Sequence, residues 1–284
     1  MVKLIASDLD GTIIGRENSI CETNFTAINA IHKKNIPFAI CSGKTYPIIK
    51  SMCSDFNATY GIFGNGNQII NLKTGEEIYK KLLTLEEIEN CYNIAKKYKM
   101  HVHVYTDTQV ITEKLMYMDL RNYKLQETKY YDNDLQFKTV KNVLNYIIKH
   151  NASVLKLVVS SDANISFAEN ELKSSTDLTI CKISKYGEYK DTIINKEYSY
   201  LDITPNNISK KQAVEFLSNY LNVSNDEVMT IGDNLNDLEM VESSGIGVAV
   251  ANAYDELKKV AKYTTTSSVE DGGFAEAVYK FIEI

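Results

Sequence analysis

The stretch "KLIASDLDGTII" (residues 3–14) joins a short apolar run to two aspartates that stand one residue apart. The apolar part predicts a buried β-strand, and Asp8 and Asp10 follow where that strand ends. Two neighbouring carboxylates raise the free-energy cost of each other's ionisation. Gly11 permits a sharp turn, and Thr12 can help to hold it. The stretch therefore predicts a strand that delivers paired carboxylates to a turn.

Short apolar runs alternate with helical patterns at both ends of the chain. The N-terminal elements predicted from this alternation are strand 3–7, helix 22–35 with Phe25, Ile28 and Ile31 on its apolar face, strand 36–41, helix 46–56 and strand 60–65. The C-terminal elements are helix 209–221 with Ser209 as N-cap, strand 227–232, helix 235–244, strand 246–251, helix 253–263, strand 263–266 and helix 273–283. This order is typical of a doubly wound parallel sheet.

The middle of the chain has a different pattern. Its predicted strands alternate polar and apolar residues, and its predicted helices are 85–99 and 134–150. This combination indicates an antiparallel sheet with helices on one face. We therefore predict an α/β core over 1–82 and 204–284, interrupted by an α+β cap domain over 83–203. An insert tethered at both ends can close over a site as a lid.

Composition and charge limit the function classes. Of 284 residues, 44% are hydrophobic and 24% are charged, enough for a sizeable core. The formal net charge of −6 argues against nucleic-acid binding. The five cysteines form no CxxC pair, so neither a disulfide framework nor a zinc site is predicted. With no apolar run of about 20 residues and no signal peptide, we predict a cytoplasmic monomer or small homo-oligomer without membrane partners.

Polar clusters follow three of the predicted strands. A fourth cluster lies at the start of helix 209–221, which precedes strand 227–232. The clusters are "DLDGT" (8–12), "SGK" (42–44), "NNISKK" (206–211) and "GDNLND" (232–237). In an open α/β sheet, ligands bind outside the carboxyl ends of the strands. We therefore expect the fold to bring the four clusters together.

The clusters contain the groups that phosphoryl transfer requires. A carboxylate such as Asp8 can attack phosphorus, while Asp10 can protonate the leaving oxygen and later deprotonate a water. Asp8 and Asp233 can hold Mg²⁺, which needs only one or two carboxylates besides water and substrate. The side chains suited to binding phosphate oxygens or to orienting a group that does so are Ser42, Lys210 and Asp237.

Each cluster alone also has a plainer interpretation. A DxD turn is commonly a solvated or capping pair, and Ser-Gly is ordinary turn chemistry. "GDNLND" is similar to a calcium-binding loop but lacks the glutamate and the register of an EF-hand. Lys210 alone is typical of a helix surface, and His101 with His103 predicts an exposed face of a strand. The order of the four clusters at compatible strand ends favours the catalytic interpretation.

These motifs resemble those of the haloacid dehalogenase superfamily of phosphohydrolases, in the same order along the chain. "NGN" (65–67), "ITPNNISK" (203–210) and the tail 245–273 resemble the Cof-type branch, which carries a cap of the C2B type. The resemblance covers the whole chain. It implies a hydrolase that removes phosphate from a small phosphorylated metabolite, such as a sugar phosphate, flavin mononucleotide or pyridoxal phosphate.

The resemblance also implies a role for each matching residue. Asp8 is expected to be the nucleophile and a metal ligand, and Asp10 the general acid and base with its backbone carbonyl on the metal. Asp233 is expected to bind Mg²⁺, and Asp237 to orient Lys210. The residues implied to bind the phosphate are Ser42, Gly43 and Lys210. Asn236, with Asp237, is implied to complete the phosphate site by orienting Lys210 and the metal waters.

One position departs from the family pattern. The family commonly has arginine after the glycine of the second motif, whereas this chain has Lys44. Lysine keeps the charge but loses the bidentate fork of arginine. Substrate preferences that depend on that arginine are therefore not transferred to this chain. Lys44 and Asn65 are predicted to contact the substrate.

Two rival functions remain open. A phosphomutase of the phosphomannomutase kind shares the cap type and the "DxDGT" start, although the "GVAVANA" tail favours the hydrolases. A non-catalytic module that binds a phosphometabolite or a protein is the second rival. Such modules usually lack at least one catalytic residue, whereas this chain retains the full set, Asp8, Asp10, Ser42, Lys210, Asp233 and Asp237.

Overall fold

The structure is a computed structural model that describes residues 1–15, 19–114, 136–161, 165–186 and 197–282. Its strands are, in chain order, β1 Leu4–Asp8, β2 Phe38–Cys41, β3 Tyr60–Phe63, β4 Gln68–Asn71, β5 Glu76–Lys80, β6 His101–Thr106, β7 Gln109–Thr112, β8 Gln136–Thr139, β9 Val154–Ser161, β10 Thr179–Tyr186, β11 Glu197–Thr204, β12 Val228–Gly232, β13 Ile246–Ala249 and β14 Tyr263–Thr264. Its α-helices are α1 Glu22–Lys33, α2 Tyr46–Asp55, α3 Leu85–Lys97, α4 Val143–His150, α5 Ser166–Ser175, α6 Lys210–Tyr220, α7 Leu238–Ser243, α8 Asp255–Val260 and α9 Gly273–Phe281. In these ranges no helix has both the length and the apolar character that crossing a membrane requires.

Two compact units divide the chain. The first contains Met1–Lys80 and Ile208–Ile284, and the second contains Lys81–Asn207. The sequence places these divisions at 82/83 and 203/204. That the second unit acts as a cap stays a prediction.

The first unit is built on an eight-stranded sheet with the order β14-β13-β12-β1-β2-β3-β4-β5. The six strands from β14 to β3 are parallel, and β1 lies between β12 and β2. From β1 the chain moves outward through β2 and β3, and from β12 it moves outward in the other direction. The strand order therefore reverses beside β1, and ligands of doubly wound sheets bind at such a reversal. The predicted fold class, a doubly wound α/β core, is confirmed.

The far edge of this sheet differs from the prediction. Strand β4 pairs antiparallel with β3, and β5 pairs antiparallel with β4; the sequence pattern did not indicate either strand. Strand β5 is largely exposed or half-buried, so it lacks the apolar run of a central strand. By contrast, every residue of β1 is buried, which is why its apolar run predicts it well.

The second unit has a six-stranded sheet with the order β10-β11-β9-β6-β7-β8. Its pairs are antiparallel except for β7 with β8. One face of the sheet packs with α3, α4 and α5 into a single core. Buried members of this core include Ile88, Val104, Leu157, Leu172 and Leu201. The predicted α+β arrangement of the middle of the chain is thus observed in the described residues.

Three local predictions are wrong, and one helix was missed. Residues 134–150 do not form one helix, because Gln136–Thr139 is a strand and the helix begins only at Val143. Helix α5 was not predicted. Phe25 is 41% exposed on α1, whose buried face carries Asn24 instead. His103 is fully buried rather than on an exposed face, and this burial, with His101 nearby, lowers its pKa to about 4.

Candidate active site

A buried lysine joins two buried aspartates at the centre of the first unit. The Lys210 Nζ donates to Asp237 Oδ1 at 2.5 Å and also to Asp8 Oδ1. The Lys210 and Asp237 side chains are 0% exposed, and that of Asp8 is 10% exposed. Charged groups are stable at such burial only when they are paired and hydrogen-bonded. The three side chains therefore act as one charged unit at the end of β1.

Local structure directs Lys210 toward this point. It is the first residue of α6, and Ser209 caps the helix by accepting from the Gln212 N–H at 3.3 Å, as predicted. The turn at Gly66 packs directly against this cap. Gly66 has a φ of +117°, and a Cβ there would lie 2.5 Å from the Ser209 carbonyl oxygen. Only glycine allows this close approach, so the turn after β3 fixes the start of α6.

Asp237 is held by backbone donors as well as by Lys210. Its Oδ2 accepts from the N–H groups of Asp233 at 3.2 Å and Asn234 at 3.0 Å. Both of its oxygens are therefore engaged in orienting other groups. Asp237 thus anchors the Lys210 ammonium group in the structure, and the part of both residues in phosphate binding stays a prediction.

The turn after β1 meets the loop after β12 at Asp233. The buried Thr12 hydroxyl donates to Asp233 Oδ1 at 3.0 Å. Gly11 has a φ of +91°, and a Cβ at this residue would lie 2.3 Å from Asp233 Oδ2. Glycine is thus required twice over, for its backbone conformation and for the space that the carboxylate occupies.

Asp10 and Lys44 form the exposed side of the site. The Lys44 Nζ lies 2.7 Å from Asp10 Oδ1, and the Asp10 side chain is 48% exposed. The Lys44 N–H also donates to the Ser42 hydroxyl oxygen at 3.1 Å. The structure therefore brings together the lysine that departs from the family pattern and the aspartate predicted to transfer protons.

The "SGK" loop contacts the "NGN" turn. The Asn65 N–H donates to the Ser42 carbonyl at 3.0 Å, and Asn65 adopts a left-handed φ of 59°. Asparagine tolerates this conformation better than most residues. The Asn236 amide donates to Asn65 Oδ1 at 3.1 Å, and Gly43 lies directly against the Asn65 side chain. Asn65 therefore joins the loops that follow β2 and β12.

Crowding of carboxylates dominates the electrostatics of the site. Burial raises the pKa of Asp8 well above its usual range, Lys210 opposes this shift, and Asp237, Asp233 and Asp10 add to it. Burial, followed by the Asp237 charge, raises the pKa of Asp233 to about 7. Burial disfavours the charge on Lys210, but the adjacent Asp237 and Asp8 carboxylates outweigh this effect and raise its pKa.

The donor set fits a hard divalent cation. Carboxylate oxygens of Asp8, Asp233 and Asp237 lie within 4.8 Å of one another. Because Asp237 already accepts from Lys210 and two N–H groups, Asp8 and Asp233 are the members best suited to bind a metal. A cation between them would relieve the repulsion that raises their pKa values.

The comparison with protein families identifies the chain. The model of the haloacid dehalogenase-like hydrolases matches residues 5–278. The chain belongs to this family. The predicted superfamily and its hydrolase class are thus confirmed over almost the whole length of the molecule.

Three relatives of this haloacid dehalogenase-like hydrolase are similar to it over most of their lengths. YxeH of Bacillus subtilis, a candidate phosphatase, is 26% identical over 286 residues, which cover 99% of both chains. The 5-amino-6-(5-phospho-D-ribitylamino)uracil phosphatase YcsE of Bacillus subtilis is 24% identical over 272 residues, 95% of this chain and 92% of that protein. A haloacid dehalogenase-like hydrolase of Bacteroides thetaiotaomicron has a similar structure, with a TM-score of 0.81 at 24% identity, covering 99% of this chain and 100% of that one.

The sequence motifs of this hydrolase account for most of the site but not for all of it. All predicted site residues lie in the first unit, around the carboxyl ends of β1, β2, β3 and β12. Asn252 was not predicted, although its side chain donates to the Gly11 carbonyl at 2.8 Å. Its only sequence signal is its position in the tail that resembles the Cof-type branch, and no spacing rule connects it with Gly11.

Proposed function

We propose that the protein is a Mg²⁺-dependent phosphomonoester hydrolase that acts through an aspartyl-phosphate on Asp8. The observation that carries the proposal is the Asp8 carboxylate at the reversal of strand order, held by the buried Lys210. A carboxylate with an adjacent fixed cation is suited to attack an electron-poor phosphorus. Relatives named as phosphatases along almost the whole chain support the same reaction class.

In the first step the Asp8 oxygen forms a bond to phosphorus while the bond to the ester oxygen breaks. Asp10 gives its proton to the leaving oxygen. In the second step Asp10 takes a proton from water, whose oxygen attacks phosphorus and releases phosphate from Asp8. Lys210 and Ser42 hold the phosphate oxygens throughout.

Asp8 and Asp233 would hold the Mg²⁺ ion, with the backbone carbonyl of Asp10 as a further ligand. When bound, the ion neutralises charge on the phosphate and on the carboxylates, which allows two anions to approach each other. Thr12 keeps Asp233 oriented toward β1 through its 3.0 Å hydrogen bond.

The substrate class we propose is a small phosphorylated metabolite of sugar or sugar-alcohol type. The support is chemical and comparative. The groups that we assign to phosphate binding all belong to the first unit, and YcsE is named for a substrate with a phosphorylated ribityl chain. Lys44 and Asn65 border the phosphate subsite and are assigned to contact the rest of the substrate.

The test is phosphate release from a panel of sugar phosphates, flavin mononucleotide, pyridoxal phosphate and p-nitrophenyl phosphate, with Mg²⁺ and with EDTA. Asp8→Asn keeps the shape of the side chain but removes the nucleophile, so we expect turnover to fall by at least about 10³-fold. Asp55→Asn is the matched control, because Asp55 is exposed at the end of α2. It should retain wild-type turnover.

Metal-dependent release that is lost only in Asp8→Asn would support the proposal. Normal turnover in Asp8→Asn would contradict the mechanism. Conversion of a sugar phosphate to its isomer without free phosphate would indicate the phosphomutase instead. Tight binding of a phosphometabolite without turnover would indicate the binding module.

A further inference from the structure

Two asparagines outside the four motif clusters hold the turn that follows the paired aspartates. The Asn252 Nδ2 donates to the Gly11 carbonyl at 2.8 Å, and the Asn24 Nδ2 donates to the Ile13 carbonyl at 3.2 Å. Both asparagines also reach Val269. The Val269 N–H donates to Asn252 Oδ1 at 2.7 Å, and the Asn24 Nδ2 lies 3.4 Å from the Val269 carbonyl oxygen. The two asparagines thus connect the Gly11 and Ile13 carbonyls to Val269, which lies in a loop distant in the sequence.

The two asparagines differ in burial. Asn24 is 0% exposed and also accepts from the Ala275 N–H at 3.0 Å, so it belongs to the packed interior. Asn252 is exposed. Water can replace the hydrogen bonds of an exposed amide at little cost in free energy. The contact from Asn252 therefore contributes little to folding, and its main effect is on the geometry of the turn.

That geometry bears directly on the reacting groups. The Gly11 N–H donates to the Ile14 carbonyl at 2.7 Å. Because Asn252 donates to the Gly11 carbonyl, both backbone polar groups of Gly11 are hydrogen-bonded. The next residue, Thr12, donates to Asp233. The peptide just before Gly11 carries the Asp10 carbonyl. Holding both polar groups of Gly11 limits the orientation of the peptide that carries the Asp10 carbonyl, and it limits the backbone from which the Asp10 side chain starts.

We infer that Asn252 is a positioning residue for metal binding and proton transfer. Its amide holds the Gly11 carbonyl, and through the adjoining peptide it orients the carbonyl and carboxyl groups of Asp10. Among the described residues, the hydrogen bonds of the Asn252 side chain join Gly11 and Val269. The inference rests on the proposed function, because it assigns these Asp10 groups to the metal and to the proton.

Residues that orient metal ligands typically change metal affinity or activity by 10–100-fold when replaced. The experiment uses Asn252→Ala in the full chain, with Mn²⁺ as the probe and calorimetric titration as the readout. We expect the dissociation constant of Mn²⁺ to rise about tenfold. At saturating Mg²⁺ we expect kcat for p-nitrophenyl phosphate to fall about tenfold, with KM changed less than about twofold, because Ser42 and Lys210 are unaffected.

Asn225→Ala is the matched control. Asn225 is also exposed in the first unit, and its amide donates to the Ser243 carbonyl at 2.9 Å, away from the predicted site. It should leave Mn²⁺ affinity and kcat unchanged. The thermal midpoint of Asn252→Ala should match that of the control within a few degrees, as expected for an exposed side chain.

Mn²⁺ affinity and kcat of Asn252→Ala within twofold of the control would overturn the inference. So would a large loss of thermal stability with unchanged Mn²⁺ affinity, since that pattern belongs to a structural residue. The binding readout needs no turnover. A wild type that binds Mn²⁺ without hydrolysing any phosphoester would remove the proposed function and, with it, the role of Asn252 in proton transfer. Weaker Mn²⁺ binding in Asn252→Ala would still support its role in metal binding.

Discussion

At the residue scale, the site concentrates negative charge where a protein interior ordinarily excludes it. Asp8, Asp233 and Asp237 share a space in which their oxygens lie within 4.8 Å, and Lys210 is the cation that accompanies them. Removing one member of a buried ion pair typically costs about 3–5 kcal/mol, because the partner keeps an uncompensated charge. Burying these charges also costs several kcal/mol of desolvation per ion, and the proposed function accounts for their retention.

The raised pKa values predict that metal binding depends on pH. A carboxyl group must lose its proton to coordinate Mg²⁺, and the pKa of Asp233 is about 7 in the metal-free protein. Affinity should therefore rise with pH through the pKa of Asp233, by up to about tenfold per pH unit for each proton displaced. Titration with Mn²⁺ at pH 5.5, 6.5, 7.5 and 8.5 measures this dependence.

Asp233→Asn is the control for the pH dependence. It removes the titrating carboxyl, so its weaker binding should change less with pH than that of the wild type. An affinity for Mn²⁺ that is constant from pH 5.5 to 8.5 in the wild type would contradict the prediction.

At the element scale, loops are held by side chains at helix ends. Glu276 in the first turn of α9 accepts from the Tyr263 hydroxyl at 2.6 Å and from the N–H groups of Thr266 at 2.8 Å and Ser267 at 2.9 Å. This carboxylate organises the segment that leads to Val269. The loop contacted by Asn252 is thereby fixed to the sheet edge and to α9.

Glu276 predicts a pH-dependent contribution to stability. Partial burial disfavours its charge, but the hydrogen bonds from Tyr263, Thr266 and Ser267 outweigh burial and lower its pKa to about 2. A carboxylate with a lowered folded pKa stabilises the fold above its unfolded pKa of about 4.5, and this stabilisation is lost as pH falls toward 2. Glu276→Gln should therefore cost roughly 1–3 kcal/mol at pH 7 and less at pH 4 and pH 3.

Urea unfolding of the wild type and Glu276→Gln at these three pH values measures the difference. Glu256→Gln on α8 is the matched control, because Glu256 is exposed, and it should change stability little at any pH. A difference between wild type and Glu276→Gln that stays constant, or grows, as pH falls would contradict the assignment.

At the scale of the whole molecule, the chain forms two units with separate hydrophobic cores. Leu172 on α5 lies in the core of the second unit, and Leu217 on α6 is buried in the first. Both side chains are 0% exposed. Units of this size with cores of their own commonly unfold as separate cooperative transitions.

The pair Leu172→Ala and Leu217→Ala tests this division. Each change removes a buried leucine and should cost about 2–5 kcal/mol in its own unit. By scanning calorimetry, we expect Leu172→Ala to lower the midpoint temperature of one unfolding transition and Leu217→Ala to lower that of the other. A single transition whose midpoint temperature falls equally in both variants would show that the molecule unfolds as one cooperative unit.

The local features of the fold could be predicted from the sequence because they depend on neighbouring residues. The apolar run of β1 and the cap at Ser209 follow from period and side-chain chemistry within a few positions. The predictions fail where a strand depends on its pairing with another strand. Within residues 134–150, the segment Gln136–Thr139 forms a strand by pairing with β7. Strand β4 likewise depends on pairing with β3, and β5 on pairing with β4.

The sequence by itself determined which chemical groups are present and that a doubly wound sheet would bring them to one edge. Tertiary structure alone decided their contacts. Lys210 meets Asp8 across 202 positions, and Asn252 meets Gly11 across 241. Burial of these charges and the direction of each donor depend on packing between distant elements, and no local pattern records that packing.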